Sequence, residues 1–143
     1  MKIFIDANAF VSNTVPSDSL HQQAQRISSQ LDQKTHEFFT SSDVLKESLT
    51  IISQRGGKQA ALDFLVRMSN DQSQITVIFV DEQLHNQGLR WFQKIKQKDV
   101  SAVDCTSFAA MKAFNIETAF SFDQHFKATG FNLITDKKTD MYD

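Results

Sequence analysis

Short apolar runs of strand length alternate along this chain with longer stretches of helical period, and several of the runs end in an acid. Lys2-Ile3-Phe4-Ile5 reads as a short buried strand closed by Asp6. Glu37 to Thr40 reads as a second strand. Residues 75–80 are the strongest, being apolar and β-branched. Residues 119–122 form another, closed by Asp123, and residues 131–134 offer one more. Between the runs, Pro16-Ser17-Asp18 is a helix start signal, and Leu20, Ala24, Ile27 and Leu31 follow at helical spacing. Ser41 or Ser42 can cap a helix running to about Arg55. Gly56-Gly57 interrupts the chain before a helix carrying Ala61, Leu62, Leu65 and Met68 on one side. Asp81 to Lys98 is helical again, with Leu84, Gly88, Trp91, Phe92 and Ile95 on one face, and Ser101 to Phe114 is a further helix.

Strands separated by single or paired helices predict an α/β fold, a three-layer α/β/α sandwich with a mainly parallel central sheet. In such sheets ligands gather beyond the carboxyl ends of the strands. Asp6, Asp123 and the pair Asp81-Glu82 each follow a strand, so the alternation itself predicts carboxylates on one rim.

The chain has 143 residues with no repeat, low-complexity run or linker, which predicts a single domain over 1–143. A hydrophobic share of 41% builds a core without disulfides, and 13 Phe against one Pro predict an aromatic interior and helices with few interruptions. Cys105 is the only cysteine, so no internal disulfide forms and a zinc site built on several thiolates is excluded. It reads as a small buried residue. The opening MKIFIDANAF is too short and too polar for a signal peptide or a membrane span, which predicts a soluble, cytoplasmic protein. A formal net charge of -2 is unlike a general nucleic-acid binder, so any RNA contact needs a local basic surface or a partner that supplies one.

Four acids have apolar neighbours. Asp104 sits near the start of a helix apolar on most sides, from Ala102 to Phe114, and a helix of that kind is buried. A carboxylate there needs a partner. Ser101 to Asp104 also fits a capping box, and the two roles do not exclude each other. Glu47 borders the stripe formed by Val44, Leu45, Ser48, Leu49, Ile51 and Ile52, from where it can lean inward or reach solvent. Asp6 and Asp123 each end a strand, where an acid often caps the next helix. Ser121, two residues before Asp123, can bond a neighbouring acid. Four carboxylates converging on one rim would repel each other unless a cation joined them. An all-oxygen set suits Mg²⁺ or Mn²⁺, and the four His show no zinc-ligand spacing.

These pieces together resemble the PIN-domain family, most closely the VapC-type toxins of prokaryotic toxin–antitoxin pairs. The residues carrying the resemblance are Phe4 to Asn8, Ser42 to Glu47, Ser101 to Asp104 and Ser121 to Phe126, spread over nearly the whole chain. Asp6, Glu47, Asp104 and Asp123 match the order and spacing of the family's acidic quartet. Many relatives carry a further acid two residues after the last one. Here that position is His125, which leaves one or two metal ions compatible with the sequence.

The resemblance implies metal-dependent hydrolysis of RNA phosphodiester bonds. A carboxylate-held ion lowers the pKa of water and offsets charge on the phosphate. Asp6, Asp104 and Asp123 are then expected to hold Mg²⁺ or Mn²⁺, with Glu47 acting through a water or as general base. Asn8, Ser42, Ser121 and His125 are expected to support them. A homodimer and a cognate antitoxin, whose tail enters the acidic groove, are the implied protein partners. Lys46, Arg55, Lys112 and Lys127 flank the acids and are expected to contact RNA. Arg90, Lys94 and Lys98 share a helix face that reads as solvated, and Trp91 reads as core.

Three other function classes come into question. A non-catalytic or weakly catalytic interaction module would carry the same acids and differ in turnover. A haloacid-dehalogenase phosphatase needs an Asp where this chain has Asn8, and a phospho-acceptor receiver domain needs adjacent acids that are absent near Asp6.

Overall fold

The computed structural model describes residues 1–31, 34–70 and 73–136, so residues 137–143 of the expected domain lie outside it. Among the described residues, five parallel strands form one sheet: β1 (Lys2–Ile5), β2 (Glu37–Ser41), β3 (Ile75–Ile78), β4 (Thr118–Phe120) and β5 (Asn132–Leu133). Their order is β3-β2-β1-β4-β5. From β1 the chain steps outward through β2 to β3, then returns across the sheet to β4 on the other side of β1. A right-handed crossover puts the helices of the outward steps and of the return on opposite faces. The reversal makes the gap between β1 and β4 the switch point of the sheet.

The outward helices are α1 (Ala7–Thr14), α2 (His21–Gln30), α3 (Ser42–Gly56) and α4 (Lys58–Ser69). The return uses α5 (Glu82–Lys94) and α6 (Ala102–Ala113), and α7 (His125–Ala128) links β4 to β5. No described helix is long and apolar enough to cross a membrane.

Several boundaries differ from the sequence expectation. Helix α1 was not anticipated. It buries Ala7, Ala9, Phe10, Val11 and Ser12, so it lacks the polar face that reveals a helix. The helix expected from Pro16 begins only at His21, because Asp18 Oδ1 accepts from Leu20 N and holds a turn first. Helix α5 stops at Lys94, where Ile95 turns extended, instead of running to Lys98. Phe92, assigned to its apolar face, is 53% exposed. The strand expected at 75–80 ends at Ile78 because Val80 N donates to Ser42 Oγ, 2.9 Å away, instead of to a neighbouring strand. The helix cap is Ser41, whose hydroxyl accepts from Val44 N.

The core is aromatic. Phe4, Phe108 and Phe126 are fully buried. Phe108 packs edge-on to Phe126 at 5.0 Å and stacks with Phe131 at 5.7 Å, and Trp91 leans on it at 5.5 Å. This cluster locks α5 and α6 to α7 and β5. Buried Thr40 donates to Ile5 O at 2.8 Å, tying β2 to the end of β1 just before Asp6.

Candidate active site

Asp6 occupies the first position after β1, where the chain turns into α1. It is the N-cap residue of that helix, yet its side chain makes no cap hydrogen bond. Its carboxylate is only 4% exposed and accepts instead from Ser121 Oγ, 2.9 Å away. Burial, with the charge of nearby Asp104 second, pushes its pKa up to about 7, against smaller downward pulls from the Ala7 amide and the Ser121 hydroxyl. A carboxylate this buried without a cation is poorly placed to ionise.

Ser121 and Asn8 hold the two central strand ends together. Asn8 Oδ1 accepts from Phe122 N at 3.1 Å, and Asn8 Nδ2 donates to Ser121 Oγ at 3.1 Å. Ser121 Oγ also accepts from Asp123 N at 3.1 Å. A serine hydroxyl has one hydrogen to give, and the 2.9 Å contact with the Asp6 carboxylate is the shorter of its acceptor contacts. Asp6 and Asp123, from β1 and β4, therefore share one supporting hydroxyl at the switch point.

Asp104 comes from α6. The capping box is present: Asp104 N donates to Ser101 Oγ at 3.0 Å, and Ser101 N donates to Asp104 Oδ2 at 3.2 Å. One carboxylate oxygen is used in the cap and the other is left over, so capping fixes the direction in which the acid points. Burial raises the Asp104 pKa and nearby Asp123 adds to this, opposed by the Ser101 bonds and His125. Glu47, half-buried on α3, completes the set. Burial raises its pKa too, helped by Asp104 and Asp43.

All four acids line one groove of about 460 Å³, together with Asn8, Ser101, Asp18 and Arg55. His125 stands at its edge. Its Nδ1 lies 2.8 Å from Asp123 Oδ1 and its Nε2 lies 3.2 Å from Asp99. Burial lowers its pKa, but the Asp123 bond and charge and then Asp99 outweigh this and raise it. Asp104, Asp123 and His125 present ligand atoms within 4.8 Å of one another. The donor set, oxygen-rich with one imidazole, fits a divalent cation, and the buried, mutually repelling acids fit it as well.

The other expected contributors divide. Arg55 lines the groove, its Nη1 3.1 Å from Asp18 Oδ2. Lys46 and Lys127 are exposed but do not line it. Lys112 faces a different groove, its ammonium 5.5 Å from the centre of the Phe131 ring. Ser42 supports the end of β3 rather than the acids. Three residues missed in the sequence prove to matter here. Asp18 holds Arg55, Asp99 holds His125, and Asp43 accepts from Thr106 Oγ1 at 3.0 Å, joining α3 to α6. Each contact spans 26 or more residues, and no local pattern announces it.

The sequence matches the PIN domain family over residues 3–132. The chain belongs to the PIN-domain family. Among curated PIN-domain relatives it is 32% identical over 130 residues to the 23S rRNA-specific endonuclease VapC20 of Mycobacterium tuberculosis, covering 90% of this chain and 95% of that one. The crystal structure of VapC20, a Sarcin-Ricin loop cleaving toxin, superposes with a TM-score of 0.80 at 30% identity, covering 90% of this chain and 95% of that one. The PIN fold is also shared with VapBC2 of Rickettsia felis bound to a DNA fragment from its promoter. There the TM-score is 0.64 at 18% identity, covering 93% of this chain and 97% of that one.

Proposed function

We propose that this PIN-domain protein is a Mg²⁺- or Mn²⁺-dependent endoribonuclease and the toxin of a toxin–antitoxin pair. The observation that carries the proposal is the groove in which Asp6, Glu47, Asp104 and Asp123 meet, one of them deeply buried. The similarity to a 23S rRNA-specific endonuclease supports RNA as substrate and makes that rRNA the first to try. The likeness to VapC20, a toxin, and to VapBC2 supports an antitoxin partner. A homodimer and a cytoplasmic location belong to the same reading.

In this account Asp6, Asp104 and Asp123 hold the ion, with His125 beside Asp123. The bound ion supplies activation of water and neutralisation of charge on the phosphate. Ser121 and Asn8 keep Asp6 and Asp123 in register, and Ser101 aims Asp104. Glu47, whose pKa burial raises above the ordinary carboxylate value, accepts the proton of the attacking water. Arg55, held by Asp18 and lining the same groove, is the cation that meets the phosphate.

The test is cleavage of 23S rRNA, naked and within ribosomes, with Mg²⁺ or Mn²⁺ and with chelator. Wild type is expected to cut only with metal. Asp6→Asn is expected to remove cutting, and Glu47→Gln to slow it by roughly 10²-fold or more. Cutting that survives chelator, or Asp6→Asn, would remove the metal site from the account. Folded wild type that cuts no RNA would favour an interaction module.

A further inference from the structure

A second groove, of about 560 Å³, lies between α5 and α6 and shares no lining residue with the acidic one. Its cations are Arg90 and Lys94 from α5 and Lys112 from α6, all exposed. Its floor is Trp91, Ile95 and Ala109, and among the described residues no carboxylate lines it. In a chain of net charge -2 this is a local concentration of positive charge. Arg90 and Lys94 stand one helical turn apart, a spacing at which like charges repel. Neither takes part in a salt bridge among the described residues. Three cations around an apolar, partly aromatic floor complement a ligand with repeated negative charges and flat apolar faces. That is the chemistry of a nucleic-acid strand.

The groove shares helix α6 with the acidic site. Helix α6 presents Asp104 in its first turn and Lys112 in its last, about 12 Å further along at 1.5 Å per residue. The segment joining α5 to α6 carries Asp99, which contacts His125. We propose that the α5–α6 groove binds the phosphodiester backbone of RNA away from the bond being cut. This rests on the ribonuclease reading for its biological role but not for its test. An acidic peptide would meet the same cations, and the experiment separates the two.

The experiment measures binding of a labelled short single-stranded RNA in chelator, so that no cleavage occurs, across a range of salt. Wild type is compared with the triple variant Arg90→Gln, Lys94→Gln, Lys112→Gln and with Lys94→Gln alone, each checked for an unchanged melting temperature. The triple variant is expected to bind more weakly, with a salt slope shallower by about 2, since each phosphate contact on a single strand contributes roughly 0.7. Lys94→Gln alone should lose about a third of that, which keeps the test valid if the triple variant folds poorly. An unchanged slope overturns the proposal. So does loss of binding to polyglutamate with RNA binding retained, which assigns the groove to an acidic peptide. Wild type that binds RNA with the expected slope but leaves 23S rRNA uncut when Mg²⁺ or Mn²⁺ is supplied would overturn the nuclease reading while leaving the groove in place.

Discussion

Asp6 carries a pKa near 7 in the folded protein against an ordinary value of 3.8. Between those values the folded chain binds more protons than the unfolded one, so stability falls as pH rises through that window. The raised pKa values of Glu47, Asp104 and His125 act with the same sign. In chelator, the melting temperature is therefore expected to drop by about 5 °C or more from pH 5 to pH 8. Asp6→Asn should flatten that dependence and melt above wild type at pH 8. A wild type equally stable at both pH values would mean that Asp6 is solvated. Ser121→Ala takes from Asp6 its hydroxyl donor and from Asp123 N its acceptor. It should weaken Mn²⁺ binding by roughly 10–100-fold in calorimetry. Asp6 and Asp123 were legible as acids ending apolar strands. The serine between them was legible only as a residue able to bond an acid, because its choice of Asp6 depends on strand order.

At the scale of elements, α5 and α6 meet at Gly88. A Cβ there would lie 2.6 Å from Thr106 Cγ2 and 3.1 Å from Thr106 Cα. Gly88→Ala must push the helices apart, and with them the Thr106–Asp43 bond to α3. A loss of about 1–3 kcal/mol in denaturant unfolding is expected, and an unchanged midpoint would contradict this packing. Ser101→Ala removes half of the capping box at Asp104 and should cost about 1 kcal/mol. Activity should fall as well if the cap aims the carboxylate. Helices α3 and α6 were readable because each begins at a serine cap and keeps its pattern for three turns or more. Helix α1 was hidden because none of its residues is fully exposed, so no solvent face marks it, and α7 because four residues show no period. Gly88 sat visibly on an apolar face, but its partner Thr106 is a tertiary fact.

For the whole molecule, alternation of strands and helices announced a parallel α/β sheet, and the strand order then decided which acids meet. The β1–β4 neighbourhood joins Asp6 to Asp123, and the return of the chain through α6 adds Asp104. Asp81 also follows a strand, but β3 lies at the edge of the sheet and Asp81 is used as the cap of α5, so it takes no part. On the proposed ribonuclease reading a negative chain must concentrate its cations where RNA lies, and among the described residues Arg55 is the only Lys or Arg lining the acidic groove. Arg55→Ala should lower the salt slope of RNA binding by about 0.7, whereas Lys46→Ala and Lys127→Ala should leave it unchanged. Equal effects from all three would assign RNA contact to diffuse surface charge. The central claim is that these acids from separate elements form one metal site. The most direct measurement is a crystal structure with Mn²⁺, located by its anomalous scattering. The account predicts density within ligand distance of Asp6, Asp104 and Asp123. A saturated crystal with Mn²⁺ elsewhere, or with none in the groove, would contradict it.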